Sequence, residues 1–313
     1  MNSDFSTNFL FNCWLSSLLA MSILNFFSGC IFVMLPVLVL QHSDLHLCDL
    51  SHLNAIMPSN PEYTFDNSVL RLPVSVGFEL SESAQTQLIE QKIDFAILPD
   101  QSFADLGLIV SDMDSTLITI ECVDEIAAGV GLQAEVATIT ERSMRGEIDF
   151  EQSLRARVAL LKGLPVEELK QVYEHVLKLS PGAEWLLQQC QKHVVKFMLV
   201  SGGFTYFTQR LQQQYGLDYT FANQLVIQDN VLNGELAGRI IDAQAKADLL
   251  VQFREKLGLN PMQVLAMGDG ANDIPMLQAA GFGVAYHAKP KTQAATSINI
   301  RFGGLDAVRK WFR

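Results

Sequence analysis

Apolar and polar positions change their pattern near residue 105. Beyond it, short and almost wholly apolar runs at 107–111, 194–200 and 263–267 each end in polar residues, the last two in glycine-rich ones. Such runs suit strands covered on both faces. Helical spacing fills the gaps, over 117–130 and from residues 205, 242 and 274 onward. Strand alternating with helix predicts an α/β fold built on a doubly wound parallel sheet, in which ligands bind at the carboxyl ends of the strands. The ends of these three strands should therefore share one pocket.

The chain before residue 106 reads differently. No charged side chain lies between Asp4 and Asp44, and residues 1–43 are crowded with Leu, Phe, Ile, Val and Met. About 20 apolar residues cross a bilayer, so residues 14–40 can be read as a tilted span that anchors the protein through residues 8–40. The segment makes a poor secretory signal, because no positive stretch precedes it. Two other readings stand beside the anchor: a translated upstream stretch with a later true start, or a buried helical element. Residues 44–105 carry strand-like alternation over 69–80 and 93–98 and helical spacing over 82–92, a small α+β appendage without a motif.

Composition narrows the partners. Against 34 acids stand 22 bases, a net charge of -12 over 313 residues. Phosphate-backbone binding needs a basic footprint and none is visible, so nucleic acid is not expected as a partner. Five cysteines without CxxC spacing indicate neither a disulfide framework nor a zinc site, which fits a reducing, cytoplasmic setting.

Chemistry concentrates at the three strand ends. Asp112-Met113-Asp114-Ser115-Thr116 follows the first run and puts two carboxylates on one side of the chain. Buried together they repel, and one stays protonated unless a cation intervenes. Taken alone, the acids can also be read as helix caps. Ser201-Gly202-Gly203-Phe204 ends the second run as a turn with exposed N–H groups before a helix, suited to phosphate. Gly268-Asp269-Gly270-Ala271-Asn272-Asp273 ends the third, and its oxygen ligands suit Mg²⁺. Lys246, in the helix opened by Asp242, supplies the fixed positive charge that four carboxylates and a phosphate require.

DMDST, SGGF, a lone helical lysine and GDGAND, in that order, resemble the haloacid dehalogenase superfamily, and most nearly its phosphoserine phosphatase branch, over about residues 106–302. The resemblance implies a phosphatase domain over 106–313 with a helical cap inserted at about 120–180. The string MRGEIDFEQSLRARVALLKGL is typical of the branch's cap, and Glu121, Met144, Phe150 and Arg157 fall where it recognises serine. Independently of family, Glu121 can hold an ammonium and Arg157 can grip a carboxylate through its fork. The resemblance further implies O-phosphoserine as substrate, with Asp112 as nucleophile and Asp114 as acid and base. Mg²⁺ would be held by Asp112, the backbone carbonyl of Asp114, and Asp269. Ser201, Gly202 and Lys246 would bind phosphoryl oxygens, Asn272 the phosphate or substrate, and Asp273 would orient a metal-bound water. A phosphatase or phosphotransferase of the same fold acting on another small phosphorylated metabolite remains the alternative.

Overall fold

The structure, a computed structural model, describes residues 34–313. Its N-terminal part comprises β1 (Pro36–Gln41), β2 (Tyr63–Thr64), β3 (Val69–Pro73), α1 (Glu82–Glu90) and β4 (Asp94–Pro99). Next come β5 (Leu108–Ser111) and four consecutive helices, α2 (Cys122–Gly129), α3 (Gln133–Met144), α4 (Phe150–Leu160) and α5 (Val166–Gln171). They lead to α6 (Ala183–His193), β6 (Lys196–Phe204), α7 (Thr205–Tyr215), a hairpin of β7 (Tyr219–Gln228) and β8 (Val231–Ala237), and α8 (Ala243–Lys256). The last stretch alternates β9 (Val264–Gly268), α9 (Ile274–Ala279), β10 (Phe282–Tyr286), α10 (Pro290–Ala294), β11 (Ile298–Ile300) and α11 (Asp306–Lys310).

All these strands join one sheet in the order β2-β3-β1-β4-β11-β10-β9-β5-β6-β7-β8. Every pairing from β11 across to β7 is parallel. The added pairings at either end, β4 with β11 and β7 with β8, are antiparallel. Central β5 shows why the fold is doubly wound: Ile109 packs with α6 and α7 on one face, Leu108 and Val110 with α8 and α9 on the other. Its register sets Ser111 beside both Leu199 and Met267, which brings the three polar strand ends level.

Three sequence expectations change. The apolar segment drawn to residue 43 gives up its end to β1, where Val37 and Val39 pack on one face and Leu38 and Leu40 on the other. A strand buried on both sides has no polar alternates, so it reads as part of an unbroken apolar run. The rest of the proposed span, residues 14–33, lies outside the described residues; within them, no helix is long and apolar enough to cross a membrane. The helix expected over 117–130 starts later, at Cys122, because a tight turn occupies Met113–Leu117. The glycine turn expected at 201–204 is instead the end of β6, which stays extended through Phe204, with an irregular pairing to β7 between Val200 and Phe204.

The insertion leaves and rejoins the core at one narrow place. Ile118 and Leu179 bridge antiparallel, flanked by Thr119 N–H to Lys178 O at 3.0 Å and Ser180 N–H to Leu117 O at 2.9 Å. The N-terminal part is tied to the core at buried Asp94, whose carboxylate accepts N–H groups of Arg301 and Gly303, each at 2.7 Å.

Candidate active site

The site begins with the turn after β5. Asp112 caps it, accepting the Met113 N–H at 2.7 Å on Oδ1, and its own N–H is fixed to Met267 O at 3.0 Å. Ser115 then adopts φ 54°, ψ 7°, left-handed backbone that a serine enters only at some cost. That reversal folds Asp114 back toward the end of β6. There its Oδ2 accepts the Ser201 hydroxyl at 3.3 Å, while Oδ1 accepts the Cys122 N–H at 2.9 Å. Gly203 makes the approach possible, since a Cβ there would sit 2.8 Å from Asp114 Oδ2.

Lys246 enters from α8 and is 1% exposed. Its Nζ lies 2.8 Å from Asp112 Oδ1 and 2.7 Å from Asp273 Oδ1. Burial alone would push this amine down, but the Asp112 and Asp273 carboxylates more than reverse that and hold it above the ordinary lysine value. Asp273 is fully buried, accepts the Gly270 N–H at 2.9 Å, and rests on Gly268, where a Cβ would come within 2.6 Å of it. Asp269, half-buried, completes the acidic group and accepts the Thr116 hydroxyl at 3.4 Å.

One oxygen each from Asp112, Asp269 and Asp273 lies within 4.8 Å of the others. Three carboxylates meeting around a single lysine carry surplus negative charge. Burial first, then Asp273, raises Asp112 well above the carboxylate range, and the same two causes lift Asp269 to about 6. An all-oxygen donor set with this unmet repulsion fits a hard divalent cation. The Asp114 carboxylate stands outside this group, and burial raises it too, against the opposing Cys122 hydrogen bond.

Four further residues come from the insertion. Glu121, exposed at the start of the insertion, accepts the Ser115 hydroxyl at 2.7 Å. Desolvation there, and behind it the charge of Asp114, push its carboxyl up to about 7. Half-buried Arg157 senses Asp124, Glu121 and Asp114 as counter-charges, yet its Nε is buried without a hydrogen-bond partner. Phe150, first residue of α4, reaches across to Gly202, its ring tip 3.0 Å from where a Cβ would stand. Met144 is not brought to this group: it ends α3 with 76% of its surface exposed. Asn272 sits on the turn after β9 with its side-chain oxygen over Gly270.

Three residues have contacts that escape a reading of the sequence alone. The Ser115 and Thr116 hydroxyls hold Glu121 and Asp269. Asn223, on β7, joins the end of β6 to Ile241, just before α8.

An acidic cluster on a lysine at the topological centre of a parallel sheet, with a helical insertion facing it, defines a class of hydrolase. The chain belongs to the haloacid dehalogenase-like hydrolases, whose family description matches residues 106–281, and to their phosphoserine phosphatase branch. It is 51% identical over 213 residues to the phosphoserine phosphatase of Polaromonas sp. (strain JS666 / ATCC BAA-500), 66% of this chain and 90% of that protein. The unliganded crystal structure of a probable phosphoserine phosphatase from Vibrio cholerae matches with a TM-score of 0.74 and 35% identity, over 94% of this chain and 91% of that one. A phosphoserine phosphatase solved as a phospho-aspartyl intermediate analogue matches with a TM-score of 0.62 and 37% identity, over 66% and 99% of the two chains.

Proposed function

We propose that this chain is a phosphoric monoester hydrolase that cleaves O-phosphoserine to serine and phosphate, through a phosphoryl group carried on Asp112. The observation that carries the reading is the pairing on one turn of Asp112, held by Lys246, with Asp114, held away from Lys246 by Cys122 and Ser201. Two carboxyls in such different surroundings are suited to different tasks.

Asp112 attacks phosphorus, and the serine oxygen leaves with a proton from Asp114. Asp114, now a carboxylate, takes a proton from the water that attacks the phosphorus of the aspartyl-phosphate, which frees Asp112. A carboxyl raised by burial serves both steps near neutral pH. Lys246 and the Ser201–Gly203 segment face the charge that shifts onto the phosphoryl oxygens. Asp112 and Asp269, with the Asp114 backbone carbonyl, would hold Mg²⁺, and Asp273 adjoins them; the cation would relieve the repulsion among the acids and draw charge from the phosphoryl group. Phosphomonoester hydrolysis is so slow unaided that enzymes reach accelerations of about 10²¹. No single one of these contacts is large enough for that.

The amino-acid half of the substrate has two partners. Arg157, with a buried Nε unmatched by protein, suits the carboxylate; Glu121 suits the ammonium; Phe150 covers the phosphoryl segment.

Phosphate release measured across a panel of phosphorylated metabolites tests the reading, with O-phosphoserine expected to have the highest kcat/KM. Within that panel, Arg157→Ala should raise KM for O-phosphoserine by tenfold or more, on the scale of about 1.5–3 kcal/mol for a charged hydrogen bond. The same variant should leave an ester without a carboxylate nearly unchanged. Equal losses on both would make Arg157 structural.

Glu121 gives a pH signature. Its carboxyl, raised to about 7, must ionise to hold an ammonium. KM for O-phosphoserine should therefore fall as pH rises through about 7, on top of the phosphate's own titration, which an amine-free ester shares. Glu121→Gln should remove the difference between the two substrates. A persisting difference in Glu121→Gln would assign it to another group.

A further inference from the structure

We infer that Asn223 is a positioning residue for the Asp114 carboxyl, acting through the Gly202–Gly203 peptide and the Ser201 hydroxyl. The inference rests on the phosphatase reading above, in which Asp114 is acid and base.

Asn223 is 1% exposed and lies where the pairing of β6 and β7 becomes irregular. Its Nδ2 donates to Gly202 O at 2.8 Å, and its Oδ1 accepts the Ile241 N–H at 2.8 Å. One amide orientation alone satisfies both, because a carbonyl needs a donor and an N–H needs an acceptor. The side chain thus links the end of β6 to the residue before Asp242, which caps α8 and so sets the base of the helix that carries Lys246.

The consequence runs along one planar peptide. In a trans peptide, C=O and N–H point opposite ways. With Gly202 O turned to Asn223, the Gly203 N–H faces the other side, where it donates to Ser201 Oγ at 2.8 Å. A hydroxyl that accepts this bond directs its own hydrogen elsewhere, and Asp114 Oδ2 is 3.3 Å away. Both residues flanking this peptide are glycine, so side chains oppose its rotation less than they would anywhere else in the strand. The glycines are needed for Phe150 and Asp114 to come close. The amide of Asn223 replaces the restraint they give up. Without it the peptide is free to turn, Ser201 loses its directing bond, and Asp114 Oδ2 loses the hydroxyl that fixes its orientation.

Two variants test this in the full-length protein. Asn223→Ala should lower kcat for O-phosphoserine by about tenfold or more, within the range of positioned acid–base groups, while KM stays within about threefold. Asn223→Asp keeps the shape. Its carboxylate cannot donate to Gly202 O, but its protonated form can, with the other oxygen still accepting from Ile241. The ratio of variant to wild-type kcat should therefore climb as pH is lowered from about 8 to about 5.5, which a mere packing role would not produce. A ratio flat with pH, or a loss confined to KM, overturns the inference. Where Asn223→Ala does not fold, the shape-preserving variant decides. Para-nitrophenyl phosphate is run in parallel: a wild type that turns it over but not O-phosphoserine defeats the substrate reading, while the Asn223 ratios remain measurable, since dephosphorylation of Asp112 still needs Asp114.

Discussion

Asp112→Asn is expected to reduce turnover of O-phosphoserine by about 10⁴-fold or more, the scale on which enzymes lose activity with their nucleophile. An amide oxygen can still face Lys246, so the loss is chemical and not a collapse of the site. Stability should move the other way at alkaline pH. Asp112 is raised well above its ordinary range by burial, then by Asp273. For an acid so raised the folded state binds more protons than the unfolded, so stability falls as pH climbs through that window. Asparagine removes that dependence and leaves Lys246 its second partner, Asp273, at 2.7 Å. Melting at about pH 8 should be no lower in the variant than in the wild type, while phosphate release nearly vanishes. Quenching the wild type during turnover and mapping the labelled peptide should place the phosphoryl group on Asp112. Label on Asp114 with Asp112 unmodified would sink the assignment.

That an inert variant should be no less stable reflects how the site is assembled. Burying four carboxyls with one lysine opposes folding, and the cost is met by the apolar strands that carry them. Those strands are also what made the fold legible. Runs such as Leu108–Ser111 and Val264–Gly268, apolar on both faces, can only be inner strands, and the polar residues after them must lie at one edge. The same property hid β1, because Pro36–Gln41 continues an apolar stretch that began far upstream and no polar residue marks its start. Local geometry was less visible than chemistry. Nothing in Ser115 announces φ 54°, and the turn it makes, not helix, fills Met113–Leu117. Gly202 and Gly203 invite a turn, but β6 stays extended through them and meets β7 again at Phe204, and their want of side chains serves Phe150 and Asp114 instead. Asn223 could not be found by motif, since its significance depends on two backbone groups, Gly202 of β6 and Ile241 before α8, that are distant in sequence.

Lys246→Met should be the most damaging single change to the folded state. The replacement fills similar space and removes the charge that faces Asp112 and Asp273 at 2.8 and 2.7 Å. Breaking a buried ion pair from one side costs about 3–5 kcal/mol, because a charge is left without compensation. Here two carboxylates are left at once, with Asp269 beside them. The sign with pH follows. Lys246 lowers the Asp112 carboxyl, so its loss raises that group further and extends upward the range in which the folded state holds the extra proton. The deficit relative to wild type should thus be smallest near pH 5.5 and grow toward pH 8, measured by thermal melting in chelator. Lowering pH rescues stability without restoring activity, since a protonated Asp112 does not attack phosphorus. Asp273→Asn added to Lys246→Met should recover part of the stability at pH 8, because one of the two stranded charges is gone. A Lys246→Met protein that melts with the wild type at both pH values would show that the acids are neutral or solvated in the native state, and that the lysine is not what makes their burial tolerable.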